Sequence, residues 1–350
     1  MVDAVKLHWI FSVPIGITIS IFGLLGNLLS AIVWSRVLRS NYGGNKSTAL
    51  YLVTLAVADS GLLLFFLFTD SLPMDQPQVT KTYSFVTFKS YVGFPFFFFF
   101  IVSSIWLVVA VTVNRFIMVM FPLKAKKWCS LTRAKLAIIL TLSCCFLINI
   151  PHFYNFRPME VNGTYTMAET DYAKSGGAAR YEFWVHCMFL VLAPWAVVAF
   201  CNGGIIYTLI RRAKEATEKF HKVKDEKKGA GSNERQMTIM LLGVTFSFLV
   251  LLAWQCVTQC FYMLGIGKGG SQWNVIDSAF SAAKLGVVIN SSINFLLYCC
   301  TGAAFRKEMM AFFWSKAKTI SFTSSMRSTT RLTKDSSTMP KNSSLAESRA

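Results

Sequence analysis

The chain has 350 residues, of which 54% are hydrophobic and only 15% charged, and its formal net charge is +18. Soluble domains run about 45–50% apolar and about 25% charged, so this composition excludes a soluble globular domain. The nine cysteines contain no CxxC pair and the four histidines (8, 152, 186, 221) are scattered, which excludes a zinc site of ordinary spacing.

Seven predominantly apolar runs follow one another, at about 9–34, 48–72, 91–119, 134–154, 182–210, 237–264 and 274–300. Each has the roughly 20 residues that a helix needs to cross the hydrocarbon layer. Backbone groups in lipid must be satisfied within the segment, so the runs predict an all-α membrane protein, a seven-transmembrane helix bundle over 9–300. The first run is too long for a signal peptide and is read as a span. Residues 1–8 are expected outside the cell. The outer loop 155–181 holds the sequon Asn162-Gly163-Thr164, while the sequons at Asn45 and Asn342 fall on the opposite side. Inside, 211–235 reads as a charged, solvated connector. Residues 303–315 read as a short amphipathic helix on the membrane surface, with Phe305, Met309, Phe312 and Phe313 on one face. The tail 316–350 is expected to be disordered and cytoplasmic. Its final 32 residues hold 15 Ser or Thr, a density that suits phosphorylation.

Charge orients the spans. Of the 35 Lys and Arg, 26 lie in 35–47, 120–135, 211–235 and 303–350, and only 7 on the other side. The positive-inside rule then places the C-terminus in the cytosol and the N-terminus outside, in a plasma-membrane orientation. The basic excess faces anionic lipid headgroups and requires no nucleic acid.

Ionisable residues within a span are costly and need a reason. Three stand out: Asp59 in the second run, Arg115 at the inner end of the third, and Lys284 in the seventh. Asn27, Ser104, Asn290, Ser291 and Asn294 offer polar partners for Asp59, enough oxygens for a small hard cation such as sodium. No other cofactor is expected. In the outer half, Phe97, Trp184, Trp254, Tyr262, Lys284 and Asp277 are candidates to line a ligand pocket, the aromatic ones also serving helix packing. Outer acids Glu160, Glu169, Asp171, Glu182 and Asp277 suit a cationic ligand. No nucleophile–base pair or phosphate loop appears, so no enzymatic activity is expected.

These residues carry a resemblance. Gly26-Asn27, Leu55-Ala56-Val57-Ala58-Asp59, Asn114-Arg115-Phe116 with Pro122-Leu123, Pro194, and Asn294-Phe295-Leu296-Leu297-Tyr298 together resemble rhodopsin-like G-protein-coupled receptors over about 10–315. Finer stretches, such as 109–130, 149–158 and 289–299, resemble invertebrate neuropeptide receptors of the FMRFamide-receptor type. The resemblance implies an extracellular peptide ligand, a heterotrimeric G protein at the inner face, and receptor kinases and arrestin at the tail. It makes Arg115 the activation switch, flanked by Asn114 and Phe116, with Pro122, Leu123 and Tyr298 in the same machinery and Glu234 as an acid within reach. Departures are visible: Asn114 replaces the acid of the DRY box, and the sixth helix lacks its proline. Ser90 stands where the third helix has a cysteine, and the loop 155–181 has no cysteine either. Missing both halves of that disulfide, the loop is expected to be less constrained than in relatives.

Two other readings compete. An ion or solute transporter or channel would use Asp59, Arg115 and Lys284 along a path, but leaves 114–123 and the hydroxyl-rich tail without a role. An opsin would need its lysine one turn nearer the seventh-helix tyrosine than Lys284 lies.

Overall fold

The computed structural model describes residues 4–40, 46–220, 230–263, 273–303 and 305–314. The tail 316–350 and residues 221–229 of the charged connector lie outside them, as do the side chains of Glu234, Tyr262 and Asp277.

Among the described residues seven helices are long and apolar enough to cross a membrane: Val5–Arg39, Lys46–Asp75, Tyr83–Met120, Leu131–Tyr154, Gly176–Glu215, Gln236–Gln255 and Ser278–Thr301. Each coincides with one of the predicted runs. The first begins further out than expected, at Ala4, so most of residues 1–8 are helical. The third also starts earlier than its apolar run, at Tyr83.

Polarity is inverted relative to a soluble protein. Asn27, Asp59, Ser103 and Ser104 are buried while Leu25, Leu28, Ile139 and Phe200 are exposed, which is the arrangement hydrocarbon demands. Close helix approach rests on small residues. A Cβ at Gly26 would lie 2.8 Å from Phe295 Cβ, and this contact lets Asn27 Nδ2 donate to Ser291 O at 2.9 Å.

Four of the helices contain a wide π turn: Phe11–Ile15, Leu67–Ser71, Lys89–Gly93 and Val185–Leu192. The first holds Pro14, and each of the others ends two residues before a proline, namely Pro73, Pro95 and Pro194. A proline ring clashes with the carbonyl four residues back and removes a donor, and widening the turn relieves both defects. The wide turns also re-aim polar side chains. Ser12 Oγ donates to Asp70 Oδ2 at 2.6 Å, and Ser71 Oγ to Ser12 O at 2.7 Å, joining the outer ends of the first two helices.

The loop after the fourth helix is a β-hairpin: β1 (Phe156–Val161) pairs antiparallel with β2 (Thr164–Glu169). The turn is Asn162-Gly163, both at positive φ (51° and 73°), as a two-residue type I′ hairpin requires. Its anchors are noncovalent. Tyr165 N donates to Lys81 O at 2.9 Å, and Thr170 N to Asn155 O at 3.0 Å. The Phe156 ring meets Phe94 edge-on at 4.7 Å, and Thr170 Oγ1 reaches Tyr154 O at 2.6 Å. The loop without a disulfide is therefore tied by hydrogen bonds and a ring contact to the second-to-third connection, the third helix and the end of the fourth.

At the opposite end Phe305 is buried against Trp34 and Tyr298, with ring centroids 5.4 and 5.5 Å away. It belongs to the bundle core instead of the lipid-facing side of the short helix. The helix over residues 305–314 exposes Met310, Phe313 and Trp314, large apolar side chains that suit a membrane surface.

Candidate functional site

Three polar centres lie along the bundle. The outermost borders an apolar cavity of about 90 Å³ between the third, fifth, sixth and seventh helices. Phe97, Phe98, Leu190, Leu252 and Phe280 form its walls, with Gln255 and Lys284 its two polar lining residues. Lys284 Nζ donates to Asp70 Oδ1 at 3.0 Å and lies 3.2 Å from His8 Nε2. His8 Nε2 is 3.5 Å from Asp70 Oδ2. Lys284 is thus half of an ion pair that ties the seventh helix to the second and first, and not an isolated intramembrane charge.

The middle centre is Asp59, fully buried. Ser104 Oγ donates to its Oδ1 at 2.5 Å and Asn294 Nδ2 to its Oδ2 at 2.8 Å. A second void of about 20 Å³ opens beside Ser104, bordered by Asn290 and Ser291. That is enough for one water-sized occupant. Among the described residues no cation pairs with Asp59, which does not itself line the void; Ser104, Asn290 and Ser291 are the polar residues of an otherwise apolar lining, oxygens of the kind a small hard cation takes.

The innermost centre is Arg115, buried at the end of the third helix, where its guanidinium meets the Met237 sulfur on the sixth. Asn114 turns the other way: its Nδ2 donates to Thr48 Oγ1 at 3.2 Å and lies 3.5 Å from Ser47 Oγ, at the inner start of the second helix. Its carbonyl accepts from Cys129 Sγ at 3.6 Å. Burial pushes the Cys129 thiol up, so it stays protonated and serves as this donor. Phe116 packs on Phe200 of the fifth helix at 5.8 Å. Pro122 starts a short helix, Pro122–Trp128, on which Leu123 is 92% exposed. Tyr298 is buried edge-on against Trp34, 5.6 Å between centroids.

Of the proposed pocket residues, Phe97 and Lys284 line the cavity. Trp254 and Trp184 do not: they are 53% and 55% exposed, on outward faces. The inward face of the sixth helix is marked by Thr245, which pairs with Asn202 of the fifth at 2.8 Å. Trp254 lies nine residues on, about two and a half turns, and so points the opposite way. Gln255 takes the inward place. Asp70, Ser12 and His8 were absent from the sequence-based site. Asp70 falls within the predicted second run, so the cost of a buried carboxylate was the signal that could have found it.

Comparison with known proteins agrees with this architecture. Residues 26–298 match the family described as 7 transmembrane receptor (rhodopsin family). The chain belongs to that family and is a multi-pass membrane protein. It is similar to the FMRFamide receptor of Drosophila melanogaster, 25% identical over 325 residues. The match covers 88% of this chain and 54% of that receptor, so the chain spans about half the length of this curated relative.

Proposed function

We propose that this protein is a neuropeptide receptor of the plasma membrane that converts binding of an extracellular peptide into activation of a heterotrimeric G protein. The observation that carries this reading is its similarity, over most of the chain, to a receptor named for FMRFamide. The aromatic cavity at one end and the buried arginine at the other are where peptide and G protein would act. Differential affinity of the peptide for two states of the bundle is what couples them. The Ser/Thr-rich tail is the proposed substrate of receptor kinases and the docking segment for arrestin. A transporter or enzyme reading has no specific observation in its favour. A panel of amidated neuropeptides applied to expressing cells, with calcium and cAMP readouts, tests the reading. At least one peptide is expected to give a saturable response absent from untransfected cells, and silence across the panel would count against it.

With the N-terminus outside, the exposed hairpin tip at Asn162 is the glycan site. Glycosidase treatment is expected to shift the mobility of the wild-type protein and leave Asn162→Gln unmoved. A shift that persists in the variant would refute the orientation or the site.

Sodium at Asp59 is proposed to stabilise the inactive state. Sodium chloride, against an isosmotic choline control, is expected to weaken agonist binding and raise the melting temperature of the ligand-free receptor. Asp59→Asn should remove both effects, and a variant that keeps them would eliminate the ion site.

A further inference from the structure

We propose that a cavity between the second, third and fourth helices, at the Arg115 end of the bundle, holds one acyl chain of an anionic phospholipid. Arg133 and the lysines beside it take the headgroup. The inference goes beyond the receptor reading and needs only that the bundle spans a membrane, so the two can fail separately.

The cavity measures about 400 Å³. Val109, Val113 and Ile117 of the third helix form one wall, and Ala134, Ala137 and Thr141 of the fourth form the other. The residues of the fourth helix recur at three- and four-residue spacing, so they share one face. Their side chains are small, which leaves space between the two helices. From Ala134 to Thr141 that space runs about 10 Å along the helix. Val113, Ile117 and Ala137 are only partly buried, so the cavity opens toward the side that lipid covers. Atoms lining an empty space forfeit dispersion contacts, and an acyl chain entering from the leaflet restores them.

The rim decides the headgroup. Arg133, exposed in the first turn of the fourth helix, and the exposed Trp128 both line the cavity, and a tryptophan of this kind marks headgroup level. Lys124 Nζ lies 6.0 Å from the Trp128 ring centroid. Lys126, Lys127 and Lys135 are exposed on the same two helices. No Asp or Glu occurs in residues 76–159, and among the described residues no salt bridge joins any of these five cations. Positive charge without local counter-charge, beside an apolar slot, is complementary to a lipid of net negative charge. The guanidinium pairs with phosphate through two parallel hydrogen bonds. A sterol, whose polar end is one neutral hydroxyl, would leave this charge unanswered. Asn114 and Cys129 belong to the same lining, so the bound chain packs against the contacts that hold the inner centre.

The probes are dioleoylphosphatidylserine, dioleoylphosphatidylcholine, cholesterol and glycerophosphoserine, each titrated onto the full-length protein in detergent, with retained molecules counted by native mass spectrometry. Wild type is expected to retain one phosphatidylserine about tenfold more strongly than phosphatidylcholine. Arg133→Gln should weaken that binding about fivefold. Arg39→Gln, which removes a basic residue from the last turn of the first helix outside the cavity lining, should leave it unchanged. Ala137→Phe fills the slot with every cation in place and should also remove phosphatidylserine. Equal retention of the two phospholipids, or equal losses in Arg133→Gln and Arg39→Gln, would overturn the proposal by reducing it to diffuse attraction. Phosphatidylserine retained by Ala137→Phe would overturn the seating of the chain, and so would full competition by glycerophosphoserine, which has the headgroup without chains. Cholesterol that displaces phosphatidylserine from wild type would assign the cavity to a sterol instead. Should Ala137→Phe lose its monodisperse peak, the two arginine variants and the glycerophosphoserine competition decide.

Discussion

Asn114→Asp is expected to lower ligand-independent signalling several-fold at equal surface expression. In wild type the Asn114 amide spends its donors on Thr48 and Ser47, and Arg115 rests against the Met237 thioether, a weak acceptor. At position 114 the carboxylate that the DRY arrangement places beside the arginine is replaced by a neutral amide. An aspartate at 114 fits the same place, because both hydroxyls can rotate to donate to it, and it adds a full negative charge beside Arg115. Charge-assisted hydrogen bonds are roughly twice as strong as neutral ones. About 1 kcal/mol of added bias toward the inactive state changes a small active fraction several-fold, since about 1.4 kcal/mol is tenfold. Measurable basal signalling is therefore expected in wild type. Basal output equal to that of mock-transfected cells, unmoved by the substitution, would remove Arg115 from the switch.

Gly23→Val is expected to abolish most folded receptor at the surface. A Cβ at this position would lie 2.7 Å from both Leu63 Cδ1 and Ser292 Cβ, where the first helix packs on the second and seventh. Overpacking of this kind costs about 1–3 kcal/mol or more, and here it would force apart the three helices that carry Asn27, Asp59 and Ser291. Gly203→Ala is the control, because nothing lies within 4 Å of its added Cβ. Fluorescence-detected size exclusion in detergent checks both variants. A normal monodisperse peak for Gly23→Val would contradict the packing described.

Much of this architecture was legible because lipid imposes few alternatives. Seven apolar runs of spanning length must be helices, and a carboxylate such as Asp59 must face inward to find Ser104 and Asn294. The hairpin was equally available, since Asn162-Gly163 is the strongest short signal for a two-residue turn, yet its sequon drew the reading toward glycosylation alone. The wide turns were not legible in the same way. Each shifts the register of everything beyond it, so 3.6-residue periodicity no longer says which way Ser12 or Asp70 faces. The Lys284–Asp70 pair is a consequence of those turns. The sixth helix posed a different difficulty: apolar residues occur on every face, and it is small polar residues such as Thr238 and Thr245 that mark the side that turns inward. A tryptophan looked like a pocket residue by type, but Trp254 sits on the far side from them.

The most direct test of the receptor reading is nucleotide exchange on purified heterotrimers by the receptor in lipid nanodiscs, with and without an activating amidated peptide. Wild type is expected to accelerate exchange in the presence of peptide, and Arg115→Ala to bind the peptide while failing to accelerate it. Peptide binding with no exchange on any heterotrimer class, or exchange that survives the loss of Arg115, would contradict the account.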